Sequence, residues 1–333
     1  MRDVLVPLAI SPVLPALGEV VRVFSGFSMG TTWSARVVMS AAAPTPSAAL
    51  QAALDEVVAQ MSHWEERSDL RRFNRAPAGS WHQLPAPFFH VLRYALSVAS
   101  ASDGAYDPCA GALVERWGFG ATRRHDEPGF SAPTAQEIDA LLALPGWRDV
   151  QLDDASRAAF QPGGVALDLS SVAKGYAVDQ LARCLDARGI HHYLVEVGGE
   201  LRGAGVKPDG QPWWVELEGV PDAAGGTPTV VALHGLALAT SGDYLRYFHH
   251  DGARMPHTLD PRSGRPISNQ VASVSVLHAE CMAADALSTV LSVLGAEAGL
   301  AFAEDTQLAA RFLVRRGDAL DEIRSSALDA MLQ

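Results

Sequence analysis

The hydrophobic pattern of this chain changes period repeatedly without settling into strand–helix–strand alternation. That constrains the fold more than any other feature. Apolar residues alternate over 32–39, where Trp33, Ala35, Val37 and Met39 share one face, and this predicts a strand. Leu50, Leu54, Val57 and Met61 keep helical spacing and predict a helix over 47–63. Residues 64–80 are polar and turn-rich, and a further helix is expected over 88–102. Thr134 and Glu137 form a T-x-x-E capping box, which opens a short helix that Pro145-Gly146 ends. Residues 170–188 read as a long helix with Gly189 at its stop, followed by a strand over 193–197. Alternation over 213–241 suggests antiparallel strands, 281–294 a helix, and 310–315 a last strand. Mixed elements in this order imply an α+β fold rather than a doubly wound sheet. The glycine-rich segments do not match G-x-G-x-x-G after a strand, so a Rossmann site is not supported.

Composition narrows the functional classes. Of 333 residues, 48% are hydrophobic and 19% charged, which suits a packed core. The net charge of -12 argues against nucleic-acid binding, which needs a basic face. Cys109, Cys184 and Cys281 lie far apart, without a C-x-x-C pair, so neither a disulfide framework nor a zinc site is expected. The apolar stretch 4–17 holds Pro7, Pro12 and Pro15, and Arg2, the one positive charge ahead of it, is offset by Asp3. It makes a poor signal peptide and is too short to span a bilayer. Residues 1–22 are therefore expected to form an irregular arm, at most a weak targeting segment, ahead of a single domain over 23–330.

Three segments carry chemistry. Residues 167–176 read LDLSSVAKGY, with Asp168, Ser170 and Ser171 at a strand-to-helix junction and Lys174 expected one turn inside the helix. A helix N-terminus presents free N–H groups and the positive dipole end, which suits phosphate; taken alone, Asp168 or Ser170 reads equally as a helix cap. Asp285 and Thr289 are four apart and share a helix face. One carboxylate and one hydroxyl suit Mg²⁺, which fills its shell with substrate phosphate oxygens; taken alone, they are a polar stripe on a half-buried helix. Residues 239–244 (ATSGDY) and 257–266 (HTLDPRSGRP) combine small hydroxyls, Asp243, a tight-turn signature and His257, which can act as acid or base near neutral pH.

Together and in this order, the segments resemble the ApbE family, the FAD:protein FMN transferases. The likeness runs from Met29-Gly30-Thr31 through S-D-L…F-N-R at 68–75, G-A-Y-D-P at 104–108, W-G-F-G at 117–120, 168–175, V-G-G-E at 197–200, T-S-G-D-Y at 240–244, 257–264 and A-D-A-L-S-T at 284–289. No single motif is specific; their order is. The resemblance implies an α+β fold of mixed and antiparallel sheets, T-fold-related, with an FAD cleft. It implies FAD along Met29, Trp64, Ala105, Tyr106, Asp107, Lys174 and Leu259, with Asp168 nearby. It implies Mg²⁺ on Asp285, Thr289 and the main-chain carbonyl of Ser171. The chain departs from the pattern at Ser170-Ser171, where the family has Gly-Gly, at Trp64, where tyrosine is common, and at Ser288, where some members carry a second acid.

The implied reaction is Mg²⁺-assisted transfer of FMN from FAD to a threonine or serine hydroxyl of an acceptor protein, releasing AMP. Lys174 supplies positive potential, and His257, or else Asp243, orients or deprotonates the hydroxyl. The resemblance implies an acceptor with a D-G/S-x-x-T/S motif and a membrane-associated redox partner. Two other readings share these residues: an FAD pyrophosphatase giving FMN and AMP, and an FAD-binding protein without turnover. Relatives often work at the outer face of the bacterial inner membrane, but the N-terminus carries no clear export signal, and the compartment stays open.

Overall fold

The computed structural model describes residues 3–10, 13–221, 228–244, 246–317 and 319–333. Arg2 and Pro12 of the N-terminal stretch, and 222–227 within the strands expected over 213–241, lie outside them. The chain forms two compact units. The first comprises Met1–Glu56, Lys174–Gly242 and Gln270–Gln333; the second comprises Val57–Ala173 and Asp243–Asn269.

The first unit is built on an eight-stranded sheet. Its order is Ala319–Arg324, Ala309–Arg316, Val271–His278, Leu236–Gly242, Glu200–Ala204, Tyr193–Val197, Thr31–Met39 and Val20–Ser28. Every neighbouring pair is antiparallel. Successive strand residues point to opposite faces, so the sheet feeds two cores. Leu238 and Leu277 join Leu5, Val231 and Leu233 on one face, while Ala239 and Val276 join Ala284, Leu291 and Phe312 on the other. The first core is closed by a three-stranded sheet in which Asp3–Leu5 runs parallel to Thr229–Leu233 and Trp213–Glu216 runs antiparallel to it. Asp3–Leu5 is thus a strand with Leu5 fully buried, where an irregular arm is expected; 6–10 and 13–19 carry no helix or strand. The second core is closed by the Cys281–Asp305 segment, two helical stretches that meet at Gly295 (φ 80°, ψ 176°), a non-helical conformation open to glycine, so the first stretch ends at the expected 294.

The second unit carries the Ala86–Ala101, Gly111–Arg116 and Ala135–Leu142 helices, a three-stranded sheet of Ser80–Gln83, Ala158–Gln161 and Leu152–Asp153, and two small hairpins. The capping box of Thr134 and Glu137 is present, with both reciprocal bonds made. The turn-rich stretch 64–80 contains a short helix, Asp69–Asn74, capped by the Ser68 hydroxyl accepting the N–H of Arg71 at 3.1 Å. Its apolar contribution is only Leu70 and Phe73, too sparse to show as a period.

The helix expected over 170–188 begins at Ala173 and ends at Asp186. The Asp168 carboxylate accepts the N–H of Ser170 at 2.8 Å, and the Leu169 carbonyl accepts the N–H groups of Val172 and Ala173. These bonds hold Ser170 and Ser171 in a turn ahead of the helix. Lys174 is consequently its second residue, not one turn inside.

Candidate active site

In the first unit, the helices Ala173–Asp186 and Cys281–Asp305 meet closely. A Cβ on Gly175 would lie 2.3 Å from the Cys281 carbonyl oxygen and 2.8 Å from Asp285 Cβ, so only glycine fits there. The N–H of Gly175, one of the first-turn donors without an intrahelical partner, donates to Asp285 Oδ2 at 2.9 Å. Asp285 is 5% exposed, and its Oδ1 has no hydrogen-bond partner among the described residues. Burial pushes its carboxyl above the ordinary value, opposed by the Lys174 ammonium and the Gly175 N–H. One turn on, the Thr289 hydroxyl makes only long contacts, 3.5 Å to the Asp285 carbonyl and 3.4 Å to Ser241 Oγ. Ser288 is fully buried; its hydroxyl donates to the Asp285 carbonyl at 2.8 Å and lies 2.7 Å from Ser241 Oγ. Ser288 is therefore committed to a hydroxyl network.

Lys174 pairs with Glu200, whose side chain is 5% exposed while that of Lys174 is about a third exposed. Burial pulls the Lys174 ammonium down, but the carboxylates of Glu200 and Asp285 outweigh it and hold the group above its ordinary value. Burial pushes the Glu200 carboxyl up to about 7 against the pull of Lys174, and its Oε2 is buried without a hydrogen-bond partner. Met29 and Gly30 (φ 53° and 73°) form the two-residue loop joining Val20–Ser28 to Thr31–Met39, a primed hairpin turn that the sequence marks with its glycine.

In the second unit, Asp168 Oδ1 lies 3.8 Å from His63 Nδ1, and Trp64 stands beside His63 with ring centroids 5.4 Å apart. Trp64 is 52% exposed, so a flat aromatic face is open to a ring. Ser171 sits in the turn just described. Ala105 and Tyr106 are buried, and the Asp107 carboxylate accepts the N–H of Cys109 at 2.7 Å; burial raises its carboxyl above the ordinary value, opposed by that bond. Leu259 packs with Leu113, Trp117, Phe119 and Ile138 in an apolar cluster. The turn after it forms as the sequence indicates, with Gly264 at φ 66° and its carbonyl accepting the Trp117 indole N–H at 2.8 Å. His257 lies 3.2 Å through Nδ1 from the Arg246 carbonyl. A carbonyl only accepts, so this contact is a hydrogen bond in the forms of the ring that carry a proton on Nδ1. Asp243 lies 3.8 Å from the Arg254 guanidinium.

Lys174, Asp285 and Thr289 are brought together within the first unit, and Asp168 and Trp64 are linked within the second through His63. Sequence reasoning passed over His63, Glu200 and Gly175. His63 precedes Trp64 directly and Glu200 ends the V-G-G-E motif, so both had a signal. The close approach at Gly175 had none, because it depends on a helix more than a hundred residues later.

The donors bear on which ion the helix pair can hold. No group of three or more His, Cys, Asp or Glu side chains among the described residues is arranged around a metal. One unpartnered carboxylate oxygen beside a loosely held hydroxyl instead suits a hard cation that draws its other ligands from main chain, water and phosphate.

The model of the ApbE family matches residues 29–312. The FAD:protein FMN transferase of Vibrio cholerae is 36% identical over 311 residues, covering 92% of each chain. That of Haemophilus influenzae is 34% identical over 319 residues, 93% of this chain and 91% of the relative. The apo crystal structure of Pseudomonas stutzeri flavinyl transferase ApbE superposes with a TM-score of 0.86 at 36% identity, covering 96% of this chain and 98% of that one. The flavin transferase ApbE from Vibrio cholerae gives 0.85 at 34%, covering 94% and 100%. With the motifs in family order and the fold shared over nearly its full length, this chain belongs to the ApbE family.

Proposed function

We propose that this chain is an FAD:protein FMN transferase that moves FMN from FAD to a threonine or serine hydroxyl of an acceptor protein and releases AMP. The observation that carries the reading is the Asp285 carboxylate. One oxygen is fixed by the Gly175 N–H, the other has no partner, and the Thr289 hydroxyl follows a turn later. Asp285, Thr289 and the Ser171 carbonyl would hold Mg²⁺, which when bound neutralises the pyrophosphate oxygens.

The residues do the rest by positioning and electrostatics, as phosphoryl transfer requires. Lys174 adds positive potential for the pyrophosphate. The exposed Trp64 ring, Met29 at its hairpin turn and Asp168 are the side chains offered to FAD. Residues Ala105, Tyr106 and Leu259, whose side chains are buried, would meet it through main chain, with Asp107 beside them. The acceptor oxygen bonds to the phosphorus on the riboflavin side as the P–O bond to AMP breaks. The hydroxyl proton passes to His257 Nε2, or to Asp243 if His257 is too far from it. The acceptor is expected to present a D-G/S-x-x-T/S motif, in keeping with a membrane-associated redox protein.

The test is to incubate the chain with FAD, Mg²⁺ and such an acceptor and weigh the acceptor. A gain of one FMN with AMP release is the expected result. FMN and AMP in solution with an unchanged acceptor would make it a pyrophosphatase instead, and FAD retained intact would make it a binding protein. Asp285→Ala should abolish transfer while the fold survives; full-rate transfer in that variant removes the metal assignment.

A further inference from the structure

We propose that Asp179 is a positioning residue for the metal-binding carboxylate: it caps the Cys281–Asp305 helix from the side and so sets where Asp285 presents its unpartnered oxygen. The inference rests on the metal reading above. The helix begins after Glu280, which makes no side-chain capping bond. Its first two N–H groups donate instead to Asp179, Cys281 to Oδ1 at 3.0 Å and Met282 to Oδ2 at 2.9 Å. Asp179 is fully buried and paired with Arg202.

The capping is reciprocal. Gly175, in the first turn of the Ala173–Asp186 helix, donates its N–H to Asp285, and Asp179 lies one turn after Gly175. Cys281 and Met282, in the first turn of the partner helix, donate to Asp179, and Asp285 lies one turn after Cys281. Each helix thus supplies the carboxylate that satisfies the other's orphan N–H groups, at the end where the dipole favours negative charge. The strand Glu200–Ala204 underlies both contacts: Glu200 pairs with Lys174, and Arg202, two residues on and so on the same face, pairs with Asp179.

This arrangement does more than close a helix end. A buried carboxylate is costly unless compensated, and Asp179 is compensated by two N–H donors and a guanidinium that together fix its position. The turn it grips is the turn immediately before Asp285. The carbonyl of Cys281 in that turn lies against Gly175, so slack at the helix start moves Asp285 relative to its N–H donor. A metal-binding carboxylate loses affinity when its supporting groups loosen, typically about 10- to 100-fold.

The test uses the full chain and calorimetric titration of Mg²⁺ alone, with far-UV circular dichroism to check the fold. Asp179→Ala should raise the Mg²⁺ dissociation constant about 10- to 100-fold. Asp179→Asn, which keeps the shape and one acceptor, should fall between it and the parent. FAD binding in the presence of a chelator should not move, and transfer at saturating Mg²⁺ should return to within a few-fold of the parent. Asp285→Ala serves as the reference that loses Mg²⁺ uptake. A folded Asp179→Ala with parental Mg²⁺ affinity overturns the proposal; where that variant does not fold, parental affinity in Asp179→Asn does so. Loss of the fold in both variants makes Asp179 a fold determinant only and overturns it as well. A parent chain that takes up no Mg²⁺ overturns the metal reading itself, a result distinct from all of these.

Discussion

In the first unit the charged groups of the candidate site are buried and paired. Asp285 and Glu200 are 5% and 3% exposed, Lys174 meets Glu200, and Asp179 meets Arg202. In the second unit the corresponding groups sit on turns and hairpins. Trp64 is 52% exposed, Asp168 lies in a turn, and His257 is held through its ring to the Arg246 main chain. A continuous sheet with a long helix on one face can bury charge because neighbouring strands and helix ends supply partners. The turns of the second unit hold their carboxylates through longer contacts, Asp168 against His63 and Asp243 against Arg254, both at 3.8 Å. The first unit is therefore built to hold a fixed charge pattern, and the second to present surfaces that a substrate can order.

The contrast can be broken by substitution. Glu200→Ala should have the largest effect on stability, about 3 kcal/mol, because it strands the partly buried Lys174 ammonium without its partner. Denaturant unfolding of the two proteins measures it; a loss near zero would mean that the pair is solvated and the first unit is no more rigid in this respect than the second. His257→Ala should do the opposite, leaving unfolding unchanged while transfer slows about 10²-fold, or about 2.7 kcal/mol of barrier. A rate within a few-fold of the parent would pass the role of base to Asp243. Gly175→Ala should cost about 1–3 kcal/mol, since its Cβ meets the Cys281 carbonyl at 2.3 Å and the helices must part. The same substitution at the exposed hairpin Gly30, where no atom lies within 4 Å, should be felt only through its φ of 73°. Thermal melts of the pair compare the two.

The smallest effect concerns pH. Glu137 in the second unit is held down to about 2 by the Arg116 guanidinium and its bonds to Thr134. Its folded value lies below the unfolded one, so its contribution is present above the ordinary glutamate range and is lost as pH falls from about 4.5 to about 2. Acid melts of Glu137→Gln and the parent should converge at the bottom of that window and differ slightly above it.

Much of this was legible in the sequence because it depends on neighbours along the chain. The alternation of Trp33, Ala35, Val37 and Met39 marks a strand, Thr134 and Glu137 mark a helix start, and Ser263-Gly264 marks a turn, each through local spacing or local backbone freedom. The four-residue step from Asp285 to Thr289 places both on one helix face wherever that helix packs. What the sequence left open depends on contacts between distant segments. The helix start is a local exception: expected from Ser170, it begins at Ala173 because the Asp168 carboxylate and the Leu169 carbonyl take the N–H groups of the preceding turn. Leu259 is buried because an apolar cluster of four distant side chains surrounds it. Asp3–Leu5 becomes a strand because Thr229–Leu233 lies beside it with open backbone groups. The mutual capping by Asp179 and Asp285 needs two helix starts more than a hundred residues apart to touch, and only packing in three dimensions brings orphan N–H groups and a foreign carboxylate together.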